Sequence, residues 1–202
     1  MKVLIATNNS HKADEIRNAI DFPGWEFVTL REAGVESDPV EDAGTFVGNA
    51  RIKALAAHEA SGGMCVLADD SGLEVDALSG EPGVCSSRYA GADGDDAANN
   101  ALLLANLADT PDFLRTARFS CTLVFIGEDG AETVARGKVE GRIGYEERGD
   151  EGFGYDPLFF PIELGGQTTF AEVPQERKSA ISHRGRALAE LKEKLKVVYN
   201  PA

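Results

Sequence analysis

Two short runs, Val3 to Ala6 and Met64 to Ala68, are apolar from end to end, and each breaks at once into polar residues. Runs of that length fit strands buried inside a sheet better than helices, which need more residues to bury a face. Lys12 to Ile20 turns helical, with Ile16, Ala19 and Ile20 on one face and Asn9 or Ser10 placed to cap it. Trp25 to Leu30 alternates as a strand does. Thr45 to Ser61 carries Phe46, Ile52, Leu55 and Ala56 near helical spacing before Gly62-Gly63 closes it. Asp69 to Gly94, rich in Gly, Asp and Ser, reads as loop with short turns, and Asp96 to Leu107 reads as a helix with Pro111 just beyond its end. Phe119 to Ile126 and Glu132 to Gly141 read as antiparallel strands joined through Glu128-Asp129-Gly130. Leu188, Leu191, Leu195 and Val198 make a closing helical stripe. Strand–helix alternation first and paired strands later predict an α/β fold with a mixed sheet.

A length of 202 residues suits one large domain, or two closely joined lobes, and no repeat or linker breaks it, so residues 1–202 read as a single domain. Twenty Lys+Arg against 34 Asp+Glu leave a net charge of −14, which argues against a nucleic-acid or anionic-membrane surface. A phosphate-bearing substrate is still open to such a chain, provided that its cations are concentrated locally. No apolar stretch approaches the about 20 residues of a membrane span, and Met1 to Ser10 is a poor signal peptide. The cysteines Cys65, Cys85 and Cys121 lack metal-ligand spacing, and Cys65 and Cys121 sit in apolar runs. Buried thiols place the chain in a reducing compartment, the cytoplasm.

Chemistry has four candidate seats. The turn Thr7-Asn8-Asn9-Ser10-His11-Lys12 feeds a strand into a helix start, where free N–H groups bind phosphate well. Lys12 there opposes the helix dipole and would be repaid by an anion; a plain cap with a solvated lysine is the alternative. Asp69-Asp70-Ser71-Gly72 follows a buried strand, where a carboxylate could hold Mg²⁺ or take a proton from water. Neighbouring strand residues face opposite ways, so at most one of these Asp side chains serves a given site, and a turn that ends the strand is the other reading. Glu41 and Asp42 could share an ion or form a solvated acidic loop. Gly152-Phe153-Gly154-Tyr155-Asp156-Pro157 offers rings and open backbone to a stacked base, or else sends its rings into the core. Lys178 to Gly185 puts Lys178, His183 and Arg184 in one span, fit for phosphate or base oxygens or for a salt-bridged helix entrance. Together the four describe a nucleoside triphosphate site.

These segments resemble a known family, the inosine triphosphate pyrophosphatases, also called XTP/dITP diphosphatases. The matching stretches are Thr7-x-Asn9-x-x-Lys12-x-x-Glu15, Thr45-Phe46 with Asn49-Ala50 and Lys53-Ala54, Asp69 to Leu73, Pro82-Gly83 through Ser87 to Gly91, Gly152 to Pro157, and Lys178 to Gly185. They keep the family's order and cover nearly the whole chain. The resemblance implies Mg²⁺-dependent hydrolysis of ITP, dITP and XTP, which carry deaminated purines, to monophosphate and pyrophosphate. It implies an elongated mixed sheet with flanking helices, two lobes around a central nucleotide cleft, and a homodimer.

Carried over by position, Asp70 is the family's metal-binding and proton-accepting carboxylate, with Glu41 as the second metal ligand. Thr7, Asn8, Asn9, Ser10, His11 and Lys12 would hold phosphates, and Ser71 would contact substrate. Phe153, Gly154, Tyr155, Asp156, Lys178, His183 and Arg184 would hold the nucleotide, with His183 or Arg184 facing the purine 6-oxo group. Asp70 or Asp69 would activate the attacking water, and Lys12 would stabilise the leaving pyrophosphate. Two positions depart from the family pattern. Val40 replaces a first acidic residue, which leaves Glu41 in question as a ligand. Gly48 replaces a Glu, which removes a capping-box partner for Thr45 and softens that helix start. Two rival readings follow, a Maf-type pyrophosphatase for modified pyrimidine nucleotides and a nucleotide-binding protein without catalysis.

Overall fold

The structure is a computed structural model that describes residues 1–19 and 22–199, with the side chains of 197–199 outside the description. Ile20 and Val198, both assigned above to helix faces, therefore lie outside the described side chains. The elements run β1 (Lys2–Ala6), α1 (Ser10–Ala19), β2 (Glu26–Thr29), α2 (Leu30–Ala33), α3 (Phe46–Ala60), β3 (Cys65–Val75), α4 (Asp96–Asn106), β4 (Thr116–Ile126), β5 (Glu132–Ile143), β6 (Phe159–Pro161), α5 (Gln175–Ile181) and α6 (His183–Tyr199), with short 3₁₀ turns between. The six strands hydrogen-bond in the order β2-β1-β3-β4-β5-β6. β1 pairs in parallel with β2 and β3, whereas β5 and β6 are antiparallel. The sheet is mixed, as the element pattern predicts.

One segment departs from expectation. The Gly, Asp and Ser content from Asp69 onward predicts a loop, but β3 continues through these residues to Val75. Gly, Ser and Asp signal turns because they satisfy their own backbone locally. Here the strand is buried along almost its whole length, and tertiary packing outweighs that local preference. Asp69 and Asp70 consequently sit within a strand and not at its end.

The chain divides into two compact units, Met1–Asp70 with Cys121–Gly137 and Arg184–Ala202, and Ser71–Ser120 with Lys138–His183. The first unit has an apolar cluster on each face of its sheet. Val3, Ile5, Cys65 and Leu67 join Ile16 of α1 and Leu188, Leu191 and Leu195 of α6 on one side. Leu4, Ala6, Val66 and Ala68 join Ala50, Ala54 and Ala57 of α3 on the other. Strand alternation thus sorts β1 and β3 residue by residue between two helical layers. The second unit is built around Leu73, Val75, Leu103, Phe119, Phe159 and Phe170.

At the start of α3 the Thr45 hydroxyl accepts the Gly48 N–H at 3.2 Å, and the Asn49 carboxamide accepts the Ala43 N–H at 3.0 Å. The helix start is therefore held from both directions without a Glu at 48. A Cβ on Gly48 would lie 2.5 Å from the Ala43 Cβ, so the glycine is needed where Ala43 packs.

Candidate functional site

β3 carries Leu67 toward α1 and α6 and Ala68 toward α3. The same alternation sends the next two side chains apart, Asp69 with Leu67 and Asp70 with Ala68. Their surroundings differ accordingly. Asp69 is fully buried: Arg184 Nε donates to its Oδ2 at 3.0 Å, Lys12 Nζ lies 3.0 Å from its Oδ1, and the Cys121 thiol donates to Oδ2 at 3.0 Å. Arg184 also binds Glu15. Burial alone would raise the Asp69 pKa, but the charges of Arg184 and Lys12 outweigh it and hold the carboxyl well below the usual range. Such a group stays ionised and accepts no proton at neutral pH. Burial, reinforced by the Asp69 charge, pushes the Cys121 thiol well up, so it remains a donor.

Asp70 is different. Lys53 Nζ, from α3, lies 3.4 Å from its Oδ1 and 2.8 Å from Glu41 Oε2. Asp70 Oδ2 is buried and has no hydrogen-bond partner. Burial raises the Asp70 pKa, and the pull of Lys53 and Lys12 reverses it only in part. An orphaned, buried carboxylate oxygen with a raised pKa can accept a proton or meet a cation. Among the described residues no three His, Cys, Asp or Glu side chains gather as a cage for a metal. Two hard carboxylates linked by one ammonium still fit Mg²⁺, which takes one or two carboxylates and fills its shell with water and phosphate oxygens.

The turn before α1 is organised by its own side chains. Asn9 Oδ1 accepts the Lys12 N–H at 3.1 Å, making Asn9 the cap. Thr7 Oγ1 accepts the Asn9 N–H at 3.2 Å, and Asn8 Nδ2 donates to Asp38 Oδ1 at 3.2 Å. Asn8 to His11 are exposed, and Lys12 is half-buried with its ammonium on Asp69. Lys12 is therefore neither a solvated lysine nor a cation without a local partner.

In the second unit Asp156 organises the glycine-rich loop. Its Oδ2 accepts the Phe153 N–H at 2.9 Å and the Lys178 ammonium at 2.7 Å. That ammonium lies 4.8 Å from the Phe153 ring centroid. Gly152, at φ +77°, has no room for a Cβ, which would meet Asp156 Oδ2 at 2.2 Å. Phe153 is half-buried, whereas Tyr155 lies in the core with its hydroxyl donating to Ser86 O at 2.8 Å. Of the two rings offered for stacking, Phe153 is the more exposed. His183 is buried, stacked on Phe119 with centroids 4.8 Å apart. Ser71, next after Asp70 in β3, is half-buried.

Arg184 takes a different place from the one expected. It is 2% exposed and committed to Asp69 and Glu15, so its guanidinium belongs to the carboxylate network of the first unit. Several contributors escaped the residue-level reading. Glu15 and Lys53 lie within the quoted motifs but carried no assigned role. Cys121 looked like any buried thiol, and nothing local marked Asp96 or Asn100 of α4, which hold Gly154 (Asp96 Oδ2 from its N–H at 2.7 Å, Asn100 Nδ2 to its C=O at 3.1 Å).

The Ham1 family model matches residues 3–194, nearly the whole chain. The chain belongs to the Ham1 family. It is 47% identical to a dITP/XTP pyrophosphatase of Exiguobacterium sibiricum, with 96% of this chain and 97% of that one covered. It is 49% identical to a protein of the same description from Nocardia farcinica, over 94% of this chain and 92% of the relative. The Ham1 protein of Staphylococcus aureus superposes with a TM-score of 0.86 at 38% identity, covering 98% of this chain and all of that one. A nucleoside-triphosphatase or dITP/XTP pyrophosphatase structure from Mycobacterium abscessus gives 0.76 at 44% identity, over 95% and 98%. Among the described residues no helix of this Ham1 chain is long and apolar enough to cross a membrane.

Proposed function

We propose that this Ham1 chain hydrolyses ITP, dITP and XTP to the nucleoside monophosphate and pyrophosphate, and so removes deaminated purine nucleotides from the pool. The observation that carries the chemistry is the unequal state of two adjacent carboxylates. Asp69 is saturated by Arg184, Lys12 and Cys121, while Asp70 keeps a buried oxygen without a partner. Relatives described as dITP/XTP pyrophosphatases supply the substrate class.

In this mechanism a water attacks the α-phosphorus in line. Its oxygen forms the new P–O bond, the bond to the bridging oxygen of the pyrophosphate breaks, and the water's proton passes to Asp70. Asp69 takes no proton; it fixes the Lys12 ammonium, which meets the charge that gathers on the leaving pyrophosphate. The turn Thr7 to His11, exposed from Asn8 on and capped by Asn9, presents backbone at the start of α1 to the phosphates. Asp70 and Glu41 would hold Mg²⁺, which when bound would neutralise phosphate charge; of the two Asp70 oxygens only Oδ2, the one without a partner, is assigned the proton. Lys53 sets the spacing of those two carboxylates. Phe153 offers its ring face to the base, with the Lys178 ammonium 4.8 Å from its centroid, and Lys178 and His183 are the donors that the family resemblance assigns to the nucleotide. A site that spends donors on a 6-oxo group leaves one facing the 6-amino group of ATP, which costs affinity. Arg184 anchors Asp69. A cytoplasmic location is in keeping with the free thiols Cys65, Cys85 and Cys121, and the homodimer is carried over from the family resemblance.

The test is pyrophosphate release from ITP, dITP, XTP, ATP and GTP, with Mg²⁺ and with chelator. Mg²⁺-dependent release from the inosine and xanthosine nucleotides, and little from ATP, is expected. A folded sample that releases none from any of them overturns the reading.

A further inference from the structure

One residue of the glycine-rich loop, Gly154, is held through both of its backbone polar groups by a single helix. Asp96 and Asn100 stand one turn apart on α4 and so share a face. Asp96 Oδ2 accepts the Gly154 N–H at 2.7 Å, and Asn100 Nδ2 donates to the Gly154 C=O at 3.1 Å. The second Asn100 amide hydrogen goes to Glu147 Oε1 at 2.9 Å. Both of these partners are acceptors, so the amide orientation is determined, and Asn100 Oδ1 is left buried without a partner.

That arrangement is costly for stability alone. A buried amide oxygen without a partner is destabilising, so the gain from this side chain lies in its two donated bonds, to the Gly154 C=O and to Glu147. Asp96 is likewise free to act outward, because the cap of α4 is its neighbour: Asp95 accepts the Ala98 N–H at 3.0 Å. Gly154 is at φ +61°, and the residue before it is Phe153. The Gly154 N–H belongs to the Phe153–Gly154 peptide, so Asp96 holds the C-terminal end of the Phe153 backbone directly and Asn100 holds it through Gly154, while Asp156 fixes the Phe153 N–H from the other side.

We infer that Asp96 and Asn100 are positioning residues for base recognition, clamping Gly154 so that the Phe153 ring is preset for a purine. The inference rests on the reading that Phe153 stacks on the base. Neither residue touches substrate; they act by reducing the ordering cost that the loop would otherwise meet on binding.

The experiment measures the affinities of the whole protein for inosine monophosphate and for inorganic pyrophosphate, each as a probe, by calorimetry. Asp96→Ala and Asn100→Leu are expected to weaken inosine monophosphate roughly three- to tenfold, the worth of one hydrogen bond, and to leave pyrophosphate within about twofold. Asp96→Asn keeps an acceptor at the same place and is expected to restore the nucleotide affinity. Phe153→Ala provides the reference. If it weakens inosine monophosphate while both α4 variants bind as the parent does, the clamp is overturned and the stacking reading stands. Equal loss for both probes in the α4 variants reduces the pair to a structural role and also overturns it. If Phe153→Ala binds unchanged, the stacking reading falls and takes the clamp with it. Thermal unfolding of each variant checks the fold, and Asn100→Leu carries the test should Asp96→Ala not fold.

Discussion

The Arg184 guanidinium donates to the Asp69 carboxylate at 3.0 Å, with side chains 2% and 0% exposed. Removing one member of such a pair leaves an uncompensated buried charge, which costs about 3–5 kcal/mol. Asp69→Asn is expected to lower stability by that amount, read as a shift of the urea midpoint. Asp70→Asn, which replaces the carboxylate with the orphaned oxygen, is expected to keep its midpoint close to the parent and to lose about 10²- to 10⁴-fold in kcat, the usual worth of a proton acceptor. Near-normal turnover in Asp70→Asn would remove Asp70 from the mechanism.

A second buried arginine serves the fold alone. Arg115 donates to the backbone carbonyls of Leu107 at 2.7 Å, Thr110 at 3.3 Å, Ile143 at 3.1 Å and Gly144 at 2.6 Å, and no carboxylate is among these partners. It closes the C-terminal end of α4 and ties it to the end of β5. Arg115→Met keeps the stem and strips the donors, leaving buried carbonyls unpaired at a loss of about 3 kcal/mol or more. Chemical denaturation measures this, and an unchanged midpoint would contradict it.

Gly48 is a steric requirement of this chain and not a weakened helix start. Gly48→Glu restores the residue common in the family, but its Cβ would lie 2.5 Å from the Ala43 Cβ. Overpacking of this kind costs about 1–3 kcal/mol. The double variant Ala43→Gly with Gly48→Glu is expected to recover most of that loss in thermal unfolding. Equal losses in the single and double variants would place the strain elsewhere.

Glu32 gives a pH signature remote from the candidate site. It binds Arg17 and accepts the Thr29 N–H at 2.8 Å in a capping box, and the hydrogen bond from Arg17, followed by the Thr29 backbone bond, holds its pKa down at about 2. A depressed carboxyl stabilises the native state above its unfolded value, near 4.5, and loses that contribution as pH falls toward about 2. The carboxyl carbon of Glu32 is expected to titrate near pH 2 by NMR. A midpoint near 4.5 would show that the Arg17 and Thr29 bonds do not persist in solution.

Much of this was legible in the residues. The apolar runs at Val3 and Met64 mark β1 and β3, and the period-two rule sends Asp69 and Asp70 to opposite faces wherever the strand lies. The motifs marked which segments to gather. What local pattern could not reveal was the fate of each carboxylate. Glycine and serine after Asp70 signal a turn, yet packing along the strand carries β3 on to Val75. The partners that separate Asp69 from Asp70 lie far along the chain: Arg184 is 115 positions from Asp69, and Glu15 is 169 from Arg184. Propensity and periodicity are properties of neighbours, so the sequence alone marked β1, the start of β3, the main helices and the alternation of Asp69 and Asp70, but not the length of β3 or the short elements α2, β6 and α5. Burial and charge pairing depend on residues brought together from distant segments, and only the tertiary structure decided that Asp69 is a fixed anion, that Asp70 keeps an oxygen in reserve, and that Arg184 is paired with Asp69 and Glu15.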